Sequence, residues 1–382
     1  MPHALKKTTS SAAQPAAERV RRQPAPLLMS LLASKAPKGA INLALGEPLY
    51  ETPSEIMEQW FDLLRNDQVG YGPDPGLPEL RRELAAMHRV EVERVIVTCG
   101  ASEALACALA TVVQPGDEVI IPDPAFVAYD PLIRMMHGTP VIWPLLPEQD
   151  FMPDLNLLSR LVTERTRAII VNNPHNPTGA VYPAPTLRAL SNFADAQGIL
   201  LISDEVYRHL TYDSPATSMA SVSKNAVVIS SFSKLFKLAG HRIGWAIAAD
   251  PEAVLEAHLN LTFRAPTPSQ QLALLAMKAD RTGLLDYYAR NRELLCSRLL
   301  DIDGLSFVKP AGTFFLWVDV SAYGNSWEVA TRALAEGVVV APNSGPGRGF
   351  GSSAPNHVRL SFAAEAGNLE EGVERFRRAL QR

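Results

Sequence analysis

The stretch Ala168-Ile-Ile-Val-Asn-Asn-Pro-His-Asn-Pro-Thr-Gly179 decides the fold. It starts as a continuous apolar run, the pattern of a strand buried on both faces. Prolines and a glycine then fix a loop that presents amide side chains. Residues 186–197 follow with helical amphipathicity, and Ile199-Leu-Leu-Ile202 opens another apolar strand. Strand, loop, helix and strand in that order make a parallel crossover unit.

Working outward, the same unit recurs. Val95-Ile-Val-Thr-Cys99 leads through Gly100-Ala-Ser102 into a helical stretch at 103–113, Glu118-Val-Ile-Ile121 into one at 125–137, and Val141-Ile-Trp143 into one at 155–163. Val227-Val-Ile-Ser230 and Gly244-Trp-Ala-Ile-Ala248 complete the series. The pattern predicts an α/β fold, a large domain with a mostly parallel sheet sandwiched by helices. Beyond it the order changes: helices at 276–300, strands at 307–320, 338–340 and 357–362, and a helix at 369–381, which read as a smaller α+β domain. A short helix is expected before the strand-like residues 40–45, preceded by a flexible, Ala/Ser/Thr-rich extension over 1–22.

At 382 residues the chain exceeds one ordinary domain, and a 47% hydrophobic, 20% charged composition with net charge −4 gives no nucleic-acid surface. No apolar run approaches the roughly 20 residues of a membrane span. Cys99, Cys107 and Cys296 are too few and too odd for a disulfide framework, so a cytoplasmic location is expected. The basic residues before the short apolar stretch 27–33 imitate a targeting peptide without its length or cleavage pattern. Histidines and cysteines lack metal-ligand spacing, so no metal is expected. Ser231-Phe-Ser-Lys234 imitates a serine/lysine hydrolase pair but lacks the partner triplets of that class.

In such a sheet, ligands bind at the carboxyl ends of the strands. After 95–99 come Gly100, Ala101 and Ser102 at a helix start, where free N–H groups suit a phosphate. After 199–202 come Asp204, Glu205 and Tyr207, and a buried carboxylate there needs a cation. After 227–230 come Ser231 and Lys234, then Arg242. Glu205 competes with Asp204, but neighbouring strand side chains face opposite ways.

Asn173-Pro-His-Asn-Pro-Thr-Gly179, Asp204-Glu-Val-Tyr207 and Ser231-Phe-Ser-Lys234 followed by Gly240-His-Arg-Ile-Gly244 resemble the fold-type I, pyridoxal-phosphate-dependent aminotransferases of class I/II. Leu43-Ala-Leu-Gly-Glu-Pro48, Tyr71-Gly-Pro-Asp-Pro-Gly-Leu-Pro78 and Val358-Arg-Leu-Ser361 extend the likeness from about Arg22 to the carboxyl terminus. The resemblance implies an enzyme of amino acid metabolism that holds pyridoxal 5′-phosphate as a Schiff base on Lys234 and exchanges an amino group between an α-amino acid and a 2-oxo acid. It implies catalytic roles for Lys234, Asp204 at the pyridine nitrogen, and Tyr207. Tyr207 and Asn176 would donate to the phenolic oxygen, Phe126 would stack on the ring, and Ala101, Ser102, Ser231 and Arg242 would hold the phosphate. Tyr71 would reach the phosphate of a neighbouring subunit, which makes a homodimer with shared sites. Arg359, with Gly46 and Asn176, would take the substrate α-carboxylate. The implied units are 51–274 for the large domain and 23–50 with 275–382 for the small one.

Two departures bear on the substrate. Ala341-Pro-Asn-Ser-Gly-Pro-Gly-Arg-Gly-Phe-Gly351 is longer and richer in glycine than the family's loop there, which predicts a reshaped or mobile entrance, and Phe315 stands where a tyrosine is frequent. The same site residues would also serve elimination, replacement or cyclisation. A transcription regulator built on this fold would carry a DNA-binding motif ahead of it, and the fewer than about fifty residues before the first fold element are expected to be too few and too disordered for one.

Overall fold

The computed structural model describes residues 17, 20, 23–33, 36–48, 52–66 and 70–382. The extension expected over 1–22 lies outside the described residues except at positions 17 and 20. A short helix, Leu27–Ala33, precedes strand β1 (Ile41–Asn42). The main sheet is seven-stranded and contains β2 (Val95–Thr98), β3 (Glu118–Asp123), β4 (Thr139–Pro144), β5 (Thr166–Asn172), β6 (Leu200–Asp204), β7 (Val227–Ser231) and β8 (Gly244–Ile247). Its order is β2-β8-β7-β6-β5-β3-β4, with β8 antiparallel to both its neighbours and the other pairs parallel.

Strand alternation feeds two cores. Val95, Val97, Ile169 and Val171 enter one, whereas Ile96, Ile170 and Ile202 enter the other beside Leu105 and Leu109 of helix Ala101–Ala110. Burial on both faces explains why these strands read as continuous apolar runs. Each Leu or Ile removed from water there contributes about 1.5–3 kcal/mol, before the entropy of ordering it.

The second unit holds a four-stranded antiparallel sheet, β12-β13-β10-β9, made of β9 (Ser306–Phe307), β10 (Phe315–Asp319), β12 (Ala341–Pro342) and β13 (His357–Ser361), while β1 pairs in parallel with β11 (Val338–Val339). Helices Leu284–Leu300, Ser326–Ala335 and Ala366–Leu380 complete it. The single strand expected over 307–320 is two strands: Thr313 adopts φ 63°, outside the extended range, and its N–H goes to the Leu210 carbonyl at 2.8 Å. The helix expected from 125 begins at Tyr129: residues 127–128 form a turn in which the Tyr129 N–H bonds the Phe126 carbonyl at 3.1 Å, and the Ala125 N–H goes to the Phe350 carbonyl at 2.6 Å. Helix formation around 276 starts earlier, as Thr267–Met277, and restarts at Leu284 after Gly283 at φ 83°. Among the described residues no helix is long and apolar enough to cross a membrane.

Candidate active site

Register explains the site. In the parallel ladder Asn172 stands beside Asp204, and Asp204 beside Ile229, so the ends of β5, β6 and β7 form one row. The antiparallel strand β8 sets its Gly244 between Ser231 of β7 and Thr98 of β2. Consequently the residues just before Gly244 meet those just after Thr98. Arg242 NH2 lies 3.5 Å from the Cys99 carbonyl, and a Cβ on Gly100 would stand 2.8 Å from the same nitrogen. Arg242 itself takes φ 51°, a left-handed conformation that costs a non-glycine residue about 1–2 kcal/mol, and NH1 braces it on the Ala239 carbonyl at 3.0 Å.

A cavity of about 190 Å³ opens over that row, and Ala101, Ser102, Phe126, Asn176, Asp204, Tyr207, Ser231, Lys234 and Arg242 all line it. Gly46 and Arg359 join it through hydrogen bonds. Lys234 Nζ donates to the Gly46 carbonyl at 2.8 Å, and Arg359 NH1 donates to Asn176 Oδ1 at 2.9 Å. A Cβ on Gly46 would lie 2.6 Å from Phe315 Cζ, so the backbone there passes flush against the ring. Tyr71 is apart: it is 81% exposed, beside Phe263 and Arg264, outside the cavity of its own chain.

The electrostatics are set by burial. Asp204 is buried; it accepts from the Tyr129 hydroxyl at 2.7 Å and the Val206 N–H at 3.2 Å. Burial pushes its carboxyl above the usual range despite these donors and Lys234. Burial, with Arg359 adding to it, pulls the Lys234 ammonium down to about 8, against the opposing pull of Glu47 and Asp204. Arg359 is lowered to about 10 by burial. Its NH2 donates to the Ala44 carbonyl at 2.7 Å, the Phe315 ring lies 3.8 Å from its Cζ, and its buried Nε has no hydrogen-bond partner among the described residues. Burial also raises Tyr207, whose ring packs edge-on against Phe314 and Phe315. Glu205 faces away, accepting from the Met219 N–H at 2.6 Å and the Ser203 hydroxyl at 3.1 Å, and burial lifts it to about 7.

This donor set fits a flat aromatic phosphate ester. One cavity is lined by a buried carboxylate, an arginine with small hydroxyls and a helix N-terminus, and a lysine amine that feels both the carboxylate and the arginine. The Asn176 oxygen is occupied by Arg359, which leaves the amide N–H₂ as the group free to donate. Among the described residues no cluster of three or more His, Cys, Asp or Glu could hold a metal ion.

Two lining residues escaped the sequence reading. In the fold the Tyr129 hydroxyl reaches Asp204, while Phe126 meets its ring edge-on at 5.6 Å. Asn172 is the hinge of the amide loop: its Oδ1 accepts the Asn176 N–H at 2.7 Å and its Nδ2 donates to the Asp204 carbonyl at 3.0 Å. Its place at the last position of an apolar strand was the available signal. The glycine-rich loop is also tied down, not loose: Asn343 Oδ1 accepts from Phe350 N at 2.6 Å and Gly351 N at 3.0 Å.

The sequence profile of the family described as aminotransferase class I and II matches residues 38–376. The chain is 35% identical over 360 residues to the aspartate/prephenate aminotransferase of Thermus thermophilus, covering 90% of this chain and 91% of that one. It is 36% identical over 359 residues to a probable aspartate/prephenate aminotransferase of Thermus aquaticus, covering 89% and 91%. Among solved structures, the aspartate aminotransferase of Thermus thermophilus with maleate superposes with TM-score 0.88 at 32% identity, over 96% of this chain and all, 100%, of that one. An aromatic aminotransferase of Pyrococcus horikoshii gives 0.84 at 32%, over 93% and 98%.

Proposed function

We infer the chemistry from one premise: the chain belongs to the class I and II aminotransferase family and is an aminotransferase of fold type I. We propose that it holds pyridoxal 5′-phosphate through a Schiff base on Lys234 and moves an amino group between an α-amino acid and a 2-oxo acid. The observation that carries this reading is the half-buried Lys234 amine, which lines one cavity with Asp204, Tyr207, Ser231 and Arg242.

The bound group would supply an aldehyde and a ring able to take up the electron pair left at the substrate Cα. This chain's residues do the rest. Asp204, buried at the end of β6, would hold a proton at the ring nitrogen. Lys234, its amine depressed toward neutral pH by burial, carries a proton between Cα and its own Nζ. Tyr207 and Asn176 donate to the phenolic oxygen, and Phe126, 36% exposed, covers the ring. Arg242, Ser102 and Ser231, with the backbone N–H groups of Ala101 and Ser102, bind the phosphate. Arg359, beside the bare backbone of Gly46, binds the α-carboxylate. Tyr71 is assigned to the phosphate of a second copy, and its exposure supports a homodimer with shared sites. In this reading residues 51–274 form the cofactor-holding domain, and 23–50 with 275–382 the substrate-facing one. The free thiols of Cys99, Cys107 and Cys296 support a cytoplasmic enzyme.

The test follows the visible band of the loaded protein while L-aspartate and L-phenylalanine are added singly. Bleaching to the pyridoxamine form, reversed by 2-oxoglutarate, is the expected result. Release of ammonia and pyruvate from serine or β-chloroalanine, without that reversal, would transfer the reading to elimination.

A further inference from the structure

Residues 343–353 cross from the smaller unit to the carboxyl end of β3, the strand whose last residue is Asp123. That side chain is 1% exposed. Its carboxylate accepts from Ser352 N at 2.8 Å, Ser352 Oγ at 2.9 Å, Ser353 N at 3.2 Å and Ser353 Oγ at 2.6 Å. The Ala125 N–H on the carbonyl of Phe350 adds a further tie from the same strand end, at 2.6 Å. Gly351, at φ 152°, is required where it stands, because a Cβ there would collide with the Asp123 carboxylate. The clasp therefore fixes Phe350, whose ring lies 4.8 Å from Cζ of Arg359 and edge-on to Trp317 at 5.3 Å.

We propose that Asp123 is a positioning residue for the substrate's α-carboxylate: by clasping Ser352 and Ser353 it sets Phe350 as a wall against Arg359. An ionised acceptor suits this task, since hydrogen bonds to a charged carboxylate are about twice as strong as neutral ones and several converge here. Among the described residues the Arg359 guanidinium is hydrogen-bonded to Asn176 and Ala44 and flanked by the rings of Phe315 and Phe350, and of these Phe350 is the one placed by the clasp. Phe126 lies three residues beyond Asp123, so the clasp also couples the ring over the cofactor position to the ring on the carboxylate arginine. The inference rests on the reading of Arg359 as the α-carboxylate site.

The experiment compares two reagents that attack the carbon of the Lys234 Schiff base and release the lysine amine as an oxime forms: aminooxyacetate, which carries a carboxylate, and methoxyamine, which does not. Both are followed by loss of the visible band in the wild-type holoenzyme, in Asp123→Ala, in Ser352→Ala/Ser353→Ala and in Arg359→Ala. Wild type is expected to prefer aminooxyacetate and Arg359→Ala to lose that preference. If either fails, the Arg359 reading falls and takes this one with it. Given that control, Asp123→Ala should slow aminooxyacetate at least about tenfold and leave methoxyamine within about twofold, as displacement of a binding group by an ångström does. The double serine variant should behave likewise, and carries the test should Asp123→Ala not fold. Hydrogen exchange at the amides of 350–353, read with or without cofactor, should quicken in both. An equal loss for the two reagents, or an unchanged ratio, overturns the proposal.

Discussion

The cup at the ends of β5, β6 and β7 and the wall that faces it are built by opposite means. In the cup, Asn172, Asp204 and Ser231 each end an apolar strand, and ladder register sets Asn172 beside Asp204, with Ser231 two residues past Ile229, the partner of Asp204. In the wall, Arg359 reaches a carbonyl 315 residues away in sequence, that of Ala44, and leans on loop residues. The cup is stabilised by the whole hydrophobic sheet beneath it; the wall depends on a few side-chain contacts between units. Reagent and substrate variation should therefore be felt at the wall, and cofactor chemistry at the cup.

The largest expected break of that division is Asp204→Ala. It removes a preorganised charge from the cup and should lower kcat by about 1,000-fold with KM for the amino acid little changed, as steady-state kinetics of the loaded variant would read. Arg359→Ala should do the reverse, raising KM about 100-fold with a smaller loss in kcat. Capture of pyridoxal phosphate by the cofactor-free protein sharpens the contrast through pH. The attacking amine must be unprotonated, and burial has lowered Lys234 to about 8. The rate should rise roughly tenfold per unit below that value and level off above it, whereas an ordinary lysine would keep rising toward roughly 10.4. Tyr129→Phe is the smallest: loss of one hydrogen bond to a charged group, about 1.5 kcal/mol, should lower kcat by about tenfold and leave KM alone.

The same division governs what could be read from the sequence. Strand ends are local facts. An apolar run that stops at Asn172, Asp204 or Ser231 announces a buried polar group, and the spacing to Lys234 and Arg242 carried the family likeness. Tyr129 was not legible as a partner of Asp204, because the contact joins residues 75 apart and depends on where helix Tyr129–Met135 begins. Just before that start the Ala125 N–H bonds the Phe350 carbonyl, a contact no periodicity encodes. The break at Thr313 and the clasp on Asp123 are of the same kind. Each is set by a segment from elsewhere in the chain completing a backbone that its own neighbours leave unpaired.

The most direct measurement is of the bond on which every assigned role depends. Protein incubated with pyridoxal phosphate, reduced with borohydride, digested and weighed should carry one pyridoxyl group on the peptide containing Lys234, and Lys234→Ala should carry none there. A modified wild-type peptide containing a different lysine, or no modified peptide at all, would contradict the assignment.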